Sequence, residues 1–448
     1  MCSSDLVFSV LVVWPVRRVM LSLRRKRSRQ RRQAGRVIVV GLDGFDPSLA
    51  HGYMKKGLLP NFKALKENGT FRPLRTTVPS ISPAAWATFS TGVNPGKHRI
   101  FDFYTRDPRN YLPVLSSTRI VSRIKRLGPF SMRRQVYEPL RKSTSFWRLL
   151  GQSGIFCSVL RVPISFPPEA FYGTQLSAMC TPDLKGTQGA FTYFTSEKQS
   201  FSVSTEGVDA KIVEVSLNGD RFEAELEGPV VSSGRGAPKR LSLSIDGRIN
   251  RGEKQVTLTI GGRTVRLRPG EYSDWIPLSF PLGLIKKVKG IARFMLTEID
   301  PHLGLYVCPI QVDPEKPAFP VSYPPVYSVS LAKLHGSFAT LGLSEDTWAL
   351  NERVIDEKAF LTQAYDIFEE RKTLLFDAMK KNRDGMIACV FDTTDRIQHM
   401  FFRYLDQNHP ANRGKDTEQH AVAVEDLYRL MDALVGEVCS RLKPEDVL

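Results

Sequence analysis

Asp43, Ser82, Asp395 and His399 have side chains that can ligate a metal ion or act as a nucleophile, and they fall in three separated stretches. Asp395 and His399 are four residues apart, so on a helical turn they share a face and could hold one metal ion between carboxylate and imidazole. Asp43 follows the apolar, β-branched run Val37 to Val40. Ser82 precedes Pro83, the pattern of a helix N-cap with proline at the first helical position. Its hydroxyl therefore has two readings, cap or nucleophile, at a helix end where free N–H groups also stabilise a phosphate or sulfate. Taken singly, each residue has an ordinary structural explanation. Their combination is what points to chemistry.

The elements that must position these residues read as alternating strands and helices. Val37 to Val40 predicts a strand buried on both faces, ending in the turn Gly41 to Gly44. Residues 60–68 predict a short helix closed by Gly69 as its C-terminal glycine, and Pro83 to Thr91 a second one stopped by Gly92. Phe146 to Leu150 ends another helical stretch, and Ile155 to Leu160 reads as a buried strand. Glu357 to Asn382 predicts a long amphipathic helix, Met386 to Phe391 a strand, and residues 417–442 a second long helix. The class is α/β, a layered, mainly parallel sheet with helices on both faces. Ligands in such sheets gather beyond the carboxyl ends of strands, where Asp43, Asp392, Asp395 and His399 fall. Between 191 and 325 the apolar period drops to two, with hairpin dipeptides at Asn218-Gly219, Asp246-Gly247 and Gly261-Gly262, as in an antiparallel β-rich insertion. The organisation predicted is a basic tail (1–35), a first part of a catalytic domain (36–190), the insertion (191–325) and the continuation of that domain (326–448).

In order along the chain, Val39-Val-Gly-Leu-Asp-Gly-Phe-Asp46, Leu59-Pro-Asn-Phe62, Ser82-Pro-Ala-Ala-Trp86, Thr91-Gly-Val-Asn-Pro-Gly-Lys-His98 and Asp392-Thr-Thr-Asp-Arg-Ile-Gln-His399 together resemble the alkaline phosphatase superfamily. Within it they are most similar to the type I phosphodiesterase/nucleotide pyrophosphatase family. The resemblance covers roughly 36–448 and implies an alkaline-phosphatase-like fold and a hydrolase of phosphoester or anhydride bonds. It also implies two divalent metal ions, usually zinc, and Ser82 as a nucleophile that forms a phospho-enzyme. Asp43 and Ser82 would serve one ion, Asp395 and His399 the other. A metal on the Ser82 oxygen lowers its pKa, so no separate general base is required.

The family also uses a later strand ending in Asp-His and a last His. This chain has no Asp-His dipeptide, its other histidines are His51, His98, His302, His335, His409 and His420, and Lys443 to Leu448 reads as the start of another buried strand. The expectation is a chain cut before its last metal-binding motifs, with two ligands per ion where a catalytic zinc takes about three protein ligands. Such a chain would bind metal weakly and turn over little. The Asn that nucleotide-specific members carry falls near Phe103, which weakens the case for nucleotides. Arg99 stands where Gly is usual, and reads either as a contact to an anionic substrate group or as a solvated arginine.

With 448 residues, 42% hydrophobic and 24% charged, the composition excludes disordered, collagen-like and polytopic membrane classes. The net charge is +17, but ten Lys/Arg against Asp5 place +9 of it within residues 1–36. The mildly basic remainder suits an anionic substrate, which the resemblance implies is a small phosphoester or nucleotide-like one, and nucleic-acid binding would rest on the tail alone. The apolar run Leu6 to Val16 has eleven residues, where a spanning helix needs about twenty. Its basic cluster follows rather than precedes it, opposite to a secretory signal. Two readings stay open: a truncated membrane anchor with the basic side cytoplasmic, or a start of artificial origin, because Cys2 to Leu6 resembles a translated sequencing adaptor. Six scattered cysteines without CxxC favour a reducing compartment such as the cytoplasm and no thiolate metal site. Ala84 and Trp86 stand where a sulfatase needs Pro and Arg. The alternatives to a hydrolase are a phosphomutase or phospho-head-group transferase on the same fold, and a non-catalytic binding module.

Overall fold

A computed structural model describes residues 35–127, 130–198, 210–231, 238–283, 286–414 and 417–448; the basic tail up to residue 34, with the run Leu6 to Val16, lies outside them. Five strands form the central sheet: β1 (Arg36–Leu42), β2 (Cys157–Leu160), β3 (Gly173–Leu176), β4 (Ser322–Tyr323) and β5 (Gly385–Phe391), in the order β1-β5-β2-β3-β4. The first four in that order run parallel, and β4 is antiparallel at the far edge. Every residue of β5 is buried, as a continuous apolar run at the centre of a parallel sheet requires. β1 departs from expectation. It is an edge strand, so Val37 is 39% exposed, and on its open side only a single parallel bridge from Val447 adds to it.

Four helices matter for the site: α1 (Ser82–Thr91), α2 (Glu357–Lys381), α3 (Thr393–Phe401) and α4 (Ala423–Cys439). α1 stops at Gly92, which is left-handed (φ 67°). The helix Pro60–Asn68 also forms, but Gly69 is extended (φ −137°) and is no left-handed cap. α2 starts on Asp356, whose carboxylate accepts from the Ala359 N–H at 2.7 Å, and buries Phe360, Ala364, Phe368 and Leu375 along one stripe. The expected helix over 417–442 is shorter: Glu418–His420 is a 3₁₀ turn and the α-helix begins at Ala423.

The 191–325 stretch folds into a five-stranded, a three-stranded and a four-stranded sheet, antiparallel except for the parallel pair Thr192–Thr195 and Lys211–Glu214. Gly261 and Gly262 turn with φ of 57° and 80°. Asp246-Gly247 does not turn. The strand Lys239–Asn250 runs straight through it, and its hairpin closes at Arg251–Lys254. Gly247 lies opposite Phe222, and a Cβ there would sit 2.0 Å from the ring, so glycine is present to seat an aromatic ring. One hydrophobic cluster joins Ile38, Leu160 and Phe391 to Leu278, Phe280 and Phe294, so these sheets pack into a core continuous with the central one. No helix among the described residues is long and apolar enough to cross a membrane.

Candidate active site

β1 and β5 pair in register, Leu42 with Phe391, so both strands end at the same level. The Asp43 N–H donates to the Phe391 carbonyl at 3.0 Å, leaving the Asp43 carboxylate at the carboxyl edge of the sheet. Gly44 turns away with φ 67°, and a Cβ on it would come within 3.1 Å of Asp395. α3 is fastened to this turn by an i, i+4 pair. Thr394 Oγ1 donates to the carbonyl of Asp43 and to that of Phe391, and Gln398 Nε2 donates to the Gly44 carbonyl at 2.7 Å. The Tyr428 hydroxyl of α4 donates in turn to Gln398 Oε1 at 3.1 Å. The next residues along α3 are Asp395 and His399, whose Oδ1 and Nε2 lie 3.2 Å apart. Residues some 350 positions apart in sequence therefore meet at one turn.

Ser82 is not the N-cap. Ile81 takes that place, Ser82 is the first helical residue, and its side chain makes no capping bond. Its hydroxyl instead donates to the Asp43 carboxylate, 3.1 Å from Oδ1 and 3.3 Å from Oδ2. A hydroxyl has one proton, and a buried carboxylate is the stronger acceptor. Trp86 Nε1 donates to the same Oδ1 at 2.8 Å. Trp86 was not among the expected site residues, although its i, i+4 spacing from Ser82 puts both on one face of α1.

Asp392 is buried and paired with Arg371 of α2, yet close enough that its charge helps to raise both Asp43 and Asp395. Arg99 is exposed in the left-handed conformation after the short helix Pro95–His98, and no hydrogen bond or ion pair brings it to Asp43, Ser82, Asp395 or His399. His98 is buried, with Thr88 Oγ1 2.9 Å from its Nε2 and the Ile100 N–H donating to its Nδ1. His420 packs edge-on against Phe401 and tilted against Tyr404, and His409 caps the turn Pro410–Asn412.

The electrostatics are those of carboxylates with too little compensation. Burial, and then the neighbouring Asp395, push the Asp43 carboxyl up to about 7 against the pull of the Trp86 hydrogen bond. Burial raises the Asp395 carboxyl as well, offset in part by His399 and Arg396. A divalent cation would relieve both, and the donors (two carboxylates, an imidazole, a hydroxyl) have the right chemistry for one. Their number falls short: among the described residues no three His, Cys, Asp or Glu side chains converge to hold an ion.

Residues 37–200 match the family model described as type I phosphodiesterase / nucleotide pyrophosphatase, so the resemblance read from the motifs holds over that stretch. It contains Asp43 and Ser82; Asp395 and His399 lie beyond it. No curated protein matches the chain, and no solved structure does.

Proposed function

Proceeding from a family whose members are phosphodiesterases and pyrophosphatases, we propose that this chain is a metal-dependent phosphoester hydrolase with Ser82 as its nucleophile. The observation that carries the reading is the Ser82 hydroxyl 3.1 Å from the Asp43 carboxylate, at the sheet edge to which α3 brings Asp395 and His399. Asp43 with Ser82, and Asp395 with His399, would hold the cations, zinc by preference. When bound, such ions polarise the phosphoryl oxygens and lower the pKa of coordinated oxygen donors.

The chain's own residues supply the rest. Trp86 and the Thr394 hydroxyl hold Asp43 by side chain and by backbone, and Asp43 orients the Ser82 oxygen. Attack forms the Ser82 Oγ–P bond and breaks the P–O bond to the leaving group, which departs as the alkoxide and takes a proton from solvent. The Ser82 proton is released to solvent, because Asp43 stays ionised when it serves a cation and no separate general base is then required. Water then cleaves the phosphoserine and restores the hydroxyl.

The test is hydrolysis of bis(4-nitrophenyl) phosphate with zinc in excess. Turnover by the chain is expected to be low, and Ser82→Ala should remove what there is at saturating zinc while leaving the fold intact. Turnover that persists in this variant sinks the covalent step. With two protein donors per ion, calorimetric titration should show weak zinc binding, far from that of a closed four-ligand site; tight binding of two ions would mean that other ligands complete the sites.

A further inference from the structure

A groove of about 730 Å³ runs beside α3 and reaches the candidate site at His399, which lines it. Its volume falls in the roughly 300–1,000 Å³ range of small-molecule sites. One wall comes from the β-rich stretch through Met295 and Thr297, the other from the turn before α2 and from α3 itself through Val354 and Met400. The lining is apolar at Met295, Val354 and Met400, and the two thioethers can adapt to an irregular apolar body. Two guanidinium groups, Arg353 and Arg403, and two carboxylates also line it, Asp356 held by the Ala359 N–H and Glu357 by Arg403, which leaves Arg353 as the uncommitted charge. Arg403 is committed, donating to Glu357 at 3.0 Å and to the Tyr404 hydroxyl. Arg353 is exposed and, among the described residues, its guanidinium has no acid or carbonyl partner. Its backbone is left-handed (φ 57°), a conformation rare outside glycine and concentrated at ligand sites.

Resting on the hydrolase reading, we propose that this groove receives the second substituent of the phosphodiester, and that this substituent is an apolar body ending in an anionic group bound by Arg353. His399 stands where the groove meets the scissile phosphate. The β-rich stretch then acts as a wall that selects substrate.

The full chain carrying Ser82→Ala, with zinc present, can be titrated calorimetrically with diphenyl phosphate and with 4-carboxyphenyl phenyl phosphate. The carboxylated probe should bind about tenfold more tightly, the effect of one charge-assisted hydrogen bond. Arg353→Gly keeps the left-handed backbone and should abolish that preference, whereas Arg353→Lys should retain part of it. Thr297→Trp, at a partly exposed position of the same wall, should weaken both probes by filling the groove. Equal affinity for the two probes, or a preference that survives Arg353→Gly, overturns the assignment. Ser82-dependent hydrolysis of bis(4-nitrophenyl) phosphate is read separately. Turnover without the preference defeats the groove alone, and the preference without turnover defeats the hydrolase reading alone.

Discussion

Asp43 is asked to stay charged where burial and Asp395 both oppose it, and its carboxyl is pushed from 3.8 up to about 7. In the unfolded chain the same group ionises near its ordinary value. Between about pH 4 and pH 7 the folded state thus holds a proton that the unfolded state has released, so this residue's contribution to stability falls as pH rises through that window. Above pH 7 the full cost is present. Asp43→Asn removes the charge and keeps an acceptor for Trp86 and Ser82. In EDTA it should stabilise the protein on the order of 1–3 kcal/mol at pH 8 and by almost nothing at pH 4.5, as read by urea unfolding at the two pH values. Zinc should reverse the ranking, because a cation stabilises the carboxylate and not the amide. A variant no more stable than the parent at pH 8 would show that Asp43 carries no such burden.

At the scale of elements, the candidate site depends on α3 offering two adjacent i, i+4 pairs, Thr394/Gln398 to the turn after β1 and Asp395/His399 to the sheet edge beside Asp43. The second pair was legible because carboxylate and imidazole spacing is a local signal. The first was not, because its partners are backbone carbonyls of residues 43 and 44, and no local pattern announces a bond across 350 residues. The same limit explains the strands. β1, β5 and α1 follow from apolar runs and a terminal glycine, but the edge position of β1 depends on which strand pairs beside it. The hairpin of Thr118–Leu127 with Phe130–Pro139 is not among the expected elements. Gly247 shows a signal that misleads, since Asp-Gly is a strong hairpin dipeptide yet here lies mid-strand under Phe222. Gly247→Ala drives a Cβ into a ring that is itself 3% exposed and has little room to shift. It should cost about 1–3 kcal/mol through overpacking, measured by urea unfolding. Gly262→Ala, strained only by its φ of 80° in open space, should cost about 1 kcal/mol. Equal and small losses would favour a turn at Gly247.

Across the whole molecule, the carboxyl ends of β1 and β5 hold the candidate site while their amino ends are locked by Arg36. That guanidinium is buried; it pairs with Asp446 and donates to the carbonyls of Met379, Asn382 and Arg441. It thereby gathers the ends of α2 and α4 and the closing segment of the chain beneath one strand, and Val447 bridges Val37 beside it. Lys443 to Leu448 had read as the start of a strand, and one bridged residue is what forms. Arg36 falls within the basic run 1–36, yet it is buried, and net charge does not distinguish a solvated cation from a buried one. Burying both partners makes the pair expensive to break: Arg36→Met leaves the Asp446 carboxylate unpaired and three carbonyls without their donor, which should cost about 3–5 kcal/mol. Asp446→Leu strands the guanidinium but leaves those carbonyl bonds, so it should cost less. In the double variant neither charge is left alone, and the loss should be smaller than the sum by about 1–3 kcal/mol. Urea unfolding of the four proteins closes the cycle. Strict additivity would mean that the ion pair does not couple β1 to the segment after α4, and that Val447 and the carbonyl bonds hold it alone.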